Sequence, residues 1–322
     1  MFSSSIGVDG DLVVETSHLP RIYVEAPSLL EKHIISLSPF QSNYLNVMRV
    51  TNPKRWGQWA GHVRIFNGKD GEWLAKVIIS DASAETTPPK KQRRRQKGNS
   101  GGGSTILECV QQTIPQPTVI SGGYVHLHMG KLKKQRRKWV LEKTTELGIA
   151  AIDVVDMAYS ENKEPWEYEK HQAQIIEAAE QCERLTVPTL VTEPTSWSDL
   201  LERISESSPG GVDDNDSDVD HFWLVCRERS INDETLPMLS ALEQIHNDAS
   251  NDGRKSCIHI LVGPEGGWSP KELEDLTNAK ESNSRNNDNI HFVSLGSLVL
   301  RAETATISAV TATVLAMDQR RS

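Results

Sequence analysis

The sequence predicts a mixed α/β protein in two domains, a small β-rich barrel followed by a mainly parallel sheet covered by helices on both faces. Three observations carry the prediction. The first half is a series of short β-like runs. From Tyr124 onward, strand-like and helix-like segments alternate, the pattern of parallel strands joined by crossover helices. Near the C-terminal end, the apolar run Ile258–Val262 stops at Gly263-Pro264-Glu265-Gly266-Gly267-Trp268. A buried strand ending in a tight loop reads this way.

The barrel is expected over residues 17–118 and the α/β domain over 119–322. Arg21–Val24, His62–Phe66 and Trp73–Ile79 are strand candidates, and Asn67-Gly68-Lys69-Asp70-Gly71 between the last two is a hairpin turn. Gln41–Val50 reads as a short helix. In the second domain Tyr124–His128 is a strand, and Lys134–Leu147 a helix with Gly148 at its C-cap. Ile152–Val155 follows as a strand and Glu167–Leu185 as a helix opened by Pro165. Phe222–Cys226 is the next strand and Glu234–His246 the next helix. After the Gly263 loop, Ser269-Pro270-Lys271-Glu272 starts a helix: Ser269 caps, Pro270 suits the first position and Glu272 closes a capping box. His291–Leu295 is the last strand and Ala302–Met317 the last helix. Four polar stretches, at about 83–104, 207–220, 247–255 and 281–289, cannot pack a core and read as insertions.

Taken as a sum, the formal charge of −9 argues against a nucleic-acid partner, but its distribution matters more than its sum. Asp213, Asp214, Asp216, Asp218 and Asp220 crowd one insertion, whereas Lys131–Lys138 holds six cations in eight residues. That run is a phosphate-contacting surface or a solvated helix face. The basic tract Lys90–Lys97 is a solvated loop, an RNA contact or a nuclear signal. No apolar run approaches the ~20 residues of a membrane helix. Asp9, Asp11 and Glu15, with no basic-then-apolar block, predict no targeting segment. The cytoplasm is the expected compartment, with mitochondrion or plastid as the alternative. Cys109, Cys182, Cys226 and Cys257 contain no C-x-x-C pair, so neither a disulfide framework nor a metal site is expected from their spacing.

Neither a dinucleotide-binding glycine fingerprint nor a P-loop occurs at a strand-to-helix junction. Two glycine-bearing loops remain, each after a C-terminal strand: Gly263–Trp268 and Ser294–Ala305. The segments GPEGGWSPKELE and LGSLVLRAETA strongly resemble the RsmE-type ribosomal RNA uridine-N3 methyltransferases of the SPOUT superfamily. Lys143–Ile149, Ala178–Arg184 with Val187-Pro188, Leu19–Val24 and Val47–Val50 resemble further family blocks. Asn43-Tyr44 stands where the family has His-His, and Tyr159-Ser160-Glu161 where it has an Arg-Ser segment.

The resemblance implies a PUA-like N-terminal barrel and a C-terminal α/β domain with a trefoil knot. It implies S-adenosyl-L-methionine as cofactor, bound by Val262, Gly263, Pro264, Glu265, Gly266, Gly267, Leu295, Gly296 and Leu300, and a homodimer acting on ribosomal RNA. Arg301 is expected to stabilise charge on the uracil, with Glu303 or Glu265 as candidate base. Arg21, Arg49, Lys131, Lys143 and Arg184 are expected to contact RNA. A methyltransferase for another RNA, such as transfer RNA, and a non-catalytic ribosome-assembly protein are the alternatives.

Overall fold

The computed structural model describes residues 15–79, 105–116, 123–161, 164–206, 219–227, 235–250, 255–281 and 289–319. The chain divides into two compact units, Met1–Pro117 and Thr118–Ser322. The insertion at 83–104, with the Lys90–Lys97 tract, lies outside the described residues, as do 207–218, 251–254 and 282–288.

In the first unit, β1 (Arg21–Tyr23), β2 (Ile34–Ser36), β3 (His62–Phe66), β4 (Glu72–Ile79) and β5 (Thr105–Ile114) form one sheet in the order β1-β3-β4-β5-β2. Only β1 and β3 run parallel among these pairs. The β3–β4 hairpin turns where the sequence marks it. Asn67 Oδ1 accepts from the N–H groups of Lys69 and Asp70, and its amide donates to Asp70. Helix α1 (Pro39–Met48) opens with a Ser38–Gln41 capping box and supplies Leu45 to the core. The short helix α2 (Pro53–Trp56) follows it. Strand β5 was not legible, because it directly follows the low-complexity stretch and its apolar alternation fades toward Gln111-Gln112.

The second unit is built on an eight-stranded sheet. Its strands are β6 (Gly123–Gly130), β7 (Ala151–Asp156), β8 (Thr189–Leu190), β9 (Thr195–Ser196), β10 (Val219–Cys226), β11 (Leu236–Pro237), β12 (Lys255–Val262) and β13 (Ile290–Ser294). The order is β11-β13-β10-β12-β6-β7-β8, with β9 also on β7, and every pairing is parallel. Strand periodicity sends Ile258, Ile260 and Val262 to one core, with α3 (Lys134–Glu146), α4 (Tyr168–Gln181), α6 (Met238–Ser250) and α8 (Ala302–Gln319). Leu261 joins Val155, Val225 and Phe292 on the other face, under α5 (Trp197–Glu206) and α7 (Pro270–Glu281). Both faces are therefore covered, as buried parallel strands require. Among the described residues no helix is long and apolar enough to cross a membrane.

Several elements differ from the sequence expectation. Helix α4 ends at Gln181 instead of Leu185, and Glu183 turns the chain at φ 59°. Helix α6 continues through Asn247–Ser250, part of the stretch expected as an insertion. Helix α5 was missed because its ten residues run straight into Ser- and Gly-rich sequence. Gly148, at φ 91°, takes the left-handed position just after α3 as expected.

Candidate functional site

The C-terminal ends of β10, β12 and β13 open into a cleft of about 630 Å³. Two loops make its walls, Gly263–Trp268 after β12 and Leu295–Arg301 after β13. Val262, Gly263, Pro264, Glu265, Gly266, Gly267, Leu295, Gly296, Leu300 and Arg301 all line it. Such a crevice at the carboxyl ends of parallel strands is the usual ligand position in α/β sheets.

The first loop makes close contacts at its glycines, closest at Gly266. A Cβ on Gly263 would meet the Trp268 ring at 3.2 Å, and one on Gly266 would lie 2.6 Å from Tyr159 Cβ. Gly267 closes the turn, at φ 75°, by donating to the Pro264 carbonyl. Trp268 Nε1 donates to the Cys226 carbonyl at 2.9 Å, tying the loop to the end of β10. The expected capping box forms: Glu272 N–H donates to Ser269 Oγ at 3.2 Å and Ser269 N–H to Glu272 Oε2 at 2.8 Å. The other Glu272 oxygen accepts from Ala158 N–H, which anchors the neighbouring Tyr159 segment.

The second loop presents Leu298 and Val299, which are 78% and 74% exposed. Large apolar side chains so exposed within a cleft mark a surface built for a ligand. Arg301 is exposed at the same cleft.

Arg136 joins the first loop to the start of α8, just after the second. Its guanidinium lies 3.2 Å from Glu265 Oε1 and 3.4 Å from Glu303 Oε1. Glu265 Oε1 also accepts from Lys133 N–H at 3.1 Å, and so caps α3, whose N-terminus has no cap from its own side chains. Glu303, expected as a catalytic group, is not among the cleft-lining residues. Its Oε2 is buried without a hydrogen-bond partner among the described residues. Both carboxylates pair with Arg136, which in the sequence is one cation of the Lys131–Lys138 run.

The five expected RNA contacts divide. Arg21 is buried, donates to Glu72 Oε2 at 2.6 Å and covers the Phe66 ring, a placement that ties it to the first unit's core. Arg184 is likewise structural. It donates to the carbonyls of Thr145, in the last turn of α3, and Ile149, just beyond it, at 2.7 and 2.9 Å. Burial lowers its pKa to about 10. Lys131 is buried, with its ammonium 3.7 Å from Asp156. Lys143 is partly exposed but paired with Glu142 and Glu146 at 2.9 and 2.8 Å. Arg49 is exposed, beside Lys54 and Arg55 in sequence and on the surface. Within the basic run, Lys133, Lys134 and Lys138 face outward while Arg137 is buried. A helix has an inside, which a count of charges does not see.

Because Arg184 ties down the end of α3, Arg184→Ala is expected to lower stability by about 1–2 kcal/mol: the Ile149 carbonyl loses its donor, while the Thr145 carbonyl keeps the Gly148 N–H. A urea titration reads this; an unchanged midpoint together with weakened RNA binding would restore the sequence-based role.

A model of the RNA methyltransferase domain family matches residues 122–314, and the chain belongs to that family. Its relatives are of the RsmE type. The chain is 26% identical over 248 residues to ribosomal RNA small subunit methyltransferase E of Rickettsia conorii, covering 77% of this chain and 78% of that one. It is 30% identical over 193 residues to the Bacillus subtilis protein of that name, covering 58% and 64%. The fold matches that of methyltransferase E from Neisseria gonorrhoeae bound to S-adenosyl methionine, at TM-score 0.60 and 22% identity over 92% of this chain and 96% of that one. The Legionella pneumophila protein Lpg2936, in complex with the same cofactor, matches at TM-score 0.58 and 21% identity over 92% and 97%.

Proposed function

We propose that this chain transfers the methyl group of S-adenosylmethionine to N3 of a uridine in small-subunit ribosomal RNA. The observation that carries the reading is the convergence of the 263–268 and 295–301 loops on one cleft, with the Arg301 guanidinium exposed beside it. The residues suit the cofactor. Glycines bring backbone N–H and C=O groups close enough to bind its polar groups, and Leu295, Leu298, Val299 and Leu300 offer apolar surface to its adenine. In the family, this second loop passes through a trefoil knot, and we extend that topology to this chain.

When bound, the cofactor supplies an electrophilic methyl group. The chain must supply alignment and charge. Uridine N3 carries a proton and becomes a nucleophile only as that proton leaves. Arg301 stabilises the negative charge that spreads onto the uracil oxygens, and the proton passes to water at the open side of the cleft. Glu265 and Glu303 act through Arg136, holding the two loops in register.

Lys133, Lys134 and Lys138 in the second unit, and Arg49, Lys54 and Arg55 in the PUA-like first unit, supply phosphate contacts that set position and salt dependence. A homodimer is supported by Trp139, Leu239 and Leu315, large apolar side chains left 45–63% exposed on α3, α6 and α8. Helix α8 packs on both α3 and α6.

Two measurements test the function. Calorimetry is expected to find one S-adenosylmethionine per chain, and absence of binding would sink the enzyme reading. RNA from cells lacking the protein is expected to lose one 3-methyluridine from the small-subunit ribosomal RNA. Loss from transfer RNA instead would move the substrate, and no loss would remove the activity.

A further inference from the structure

At the opposite ends of the strands from the glycine loops, the sheet face under α5 and α7 turns polar. It carries His126 and His128 from β6, Cys257 and His259 from β12, His221 from β10 and Asp153 from β7. Parallel register sets His126 beside His259 and Cys257 beside His221. The donor atoms of His126, Cys257 and His259 lie within 4.8 Å of one another. Around them runs a chain of polar contacts. His259 Nε2 is 2.9 Å from His221 Nδ1, and His259 Nδ1 is 2.9 Å from His128 Nε2. His128 Nδ1 is 3.3 Å from Asp153 Oδ2, and Thr195 and Arg203 fix that carboxylate at 2.7 and 2.9 Å.

A layer of four imidazoles and a thiol on an otherwise apolar sheet face has no part in the cleft chemistry. Further along the same strands these positions hold Val155, Leu261 and Val225. We propose that His126, Cys257 and His259 bind one zinc-class transition-metal ion. Two imidazoles and a thiolate form a borderline-soft donor set that suits zinc and disfavours magnesium or calcium, which want oxygen. Zinc bonds of about 2.0–2.3 Å need the three donors to draw in by about an ångström. His259 gives Nε2 to the metal in place of its His221 contact and keeps Nδ1–H on His128. The His128–Asp153 pair then orients the ligand, as outer carboxylate–histidine partners do. The Cys257 thiol loses its proton to solvent as the sulfur–metal bond forms. Sequence spacing hid the site because its ligands come from two strands separated by more than a hundred residues.

The test uses the full chain, stripped with a chelator and titrated with Zn2+ alone against a chromophoric competitor. One equivalent is expected to bind more tightly than micromolar, and Co2+ is expected to give a thiolate charge-transfer band. Cys257→Ser and His126→Ala should each weaken zinc at least about 10-fold, whereas Cys182→Ser, which changes a thiol outside the layer, should change nothing. No binding by the unmodified chain, or binding undiminished in a folded Cys257→Ser or His126→Ala protein, overturns the site. His126 is only partly buried, so its variant keeps the test open if the Cys257 change unfolds the sheet.

Discussion

Arg301→Ala is expected to reduce methyl-transfer turnover about 10²–10³-fold, the loss that follows removal of one group stabilising developing charge, while cofactor affinity stays within about two-fold. The location of Arg301 supports a large effect. It immediately precedes α8, and its carbonyl accepts from Ala305 N–H as the helix begins. Stability alone would choose Ser, Thr, Asp or Asn there and would avoid a cation near the positive end of the helix dipole. An exposed guanidinium in that place is better explained by what it meets in the cleft. Arg301→Lys keeps the charge but loses the planar fork that spans two oxygens, so it should recover only part of the rate. Single-turnover kinetics with saturating cofactor separate the terms. Full activity in the alanine variant removes Arg301 from the chemistry, and lost cofactor binding reassigns it to the pocket wall.

Gly130→Ala should disable the cleft from outside the two glycine loops. Gly130 ends β6, and a Cβ there would lie 2.6–2.8 Å from the ring and backbone nitrogen of Pro264. A proline ring has no rotamer to escape into, so the whole Gly263–Trp268 loop must move. Cofactor affinity is expected to fall at least about ten-fold, with a stability loss of about 1–3 kcal/mol, as for overpacking in a filled core. Gly148→Ala is the control. That residue has left-handed φ but open space around it, so its substitution costs about 1–2 kcal/mol in backbone strain and leaves the cleft intact. Equal cofactor affinity in the Gly130 and unmodified proteins would mean that the loop position does not govern binding.

The glycine loops were legible because their signals are local. An apolar run, a glycine knuckle and a capping box lie within about fifteen residues, and Ser269–Glu272 folds as those signals require. Gly130 and Arg136 were not legible as parts of the site, since each meets its partner across about 130 residues of chain. At Arg21, Lys131 and Arg184, expected to contact RNA, the structure differs from the exposed placement a charge suggests, for a related reason. A charge in a sequence carries no mark of which face it occupies, and these three turn inward to Glu72, Asp156 and the carbonyls of α3.

By itself the sequence determined the alternation of strands and helices, the parallel sheet and the two loops at its end, because hydrophobic period and turn chemistry act over neighbouring residues. The tertiary structure alone decided strand order, the joining of Glu265 to Glu303 through Arg136, and the gathering of His126, Cys257 and His259. These depend on which strands lie side by side, and that is settled by burying two apolar faces at once, which no local segment encodes.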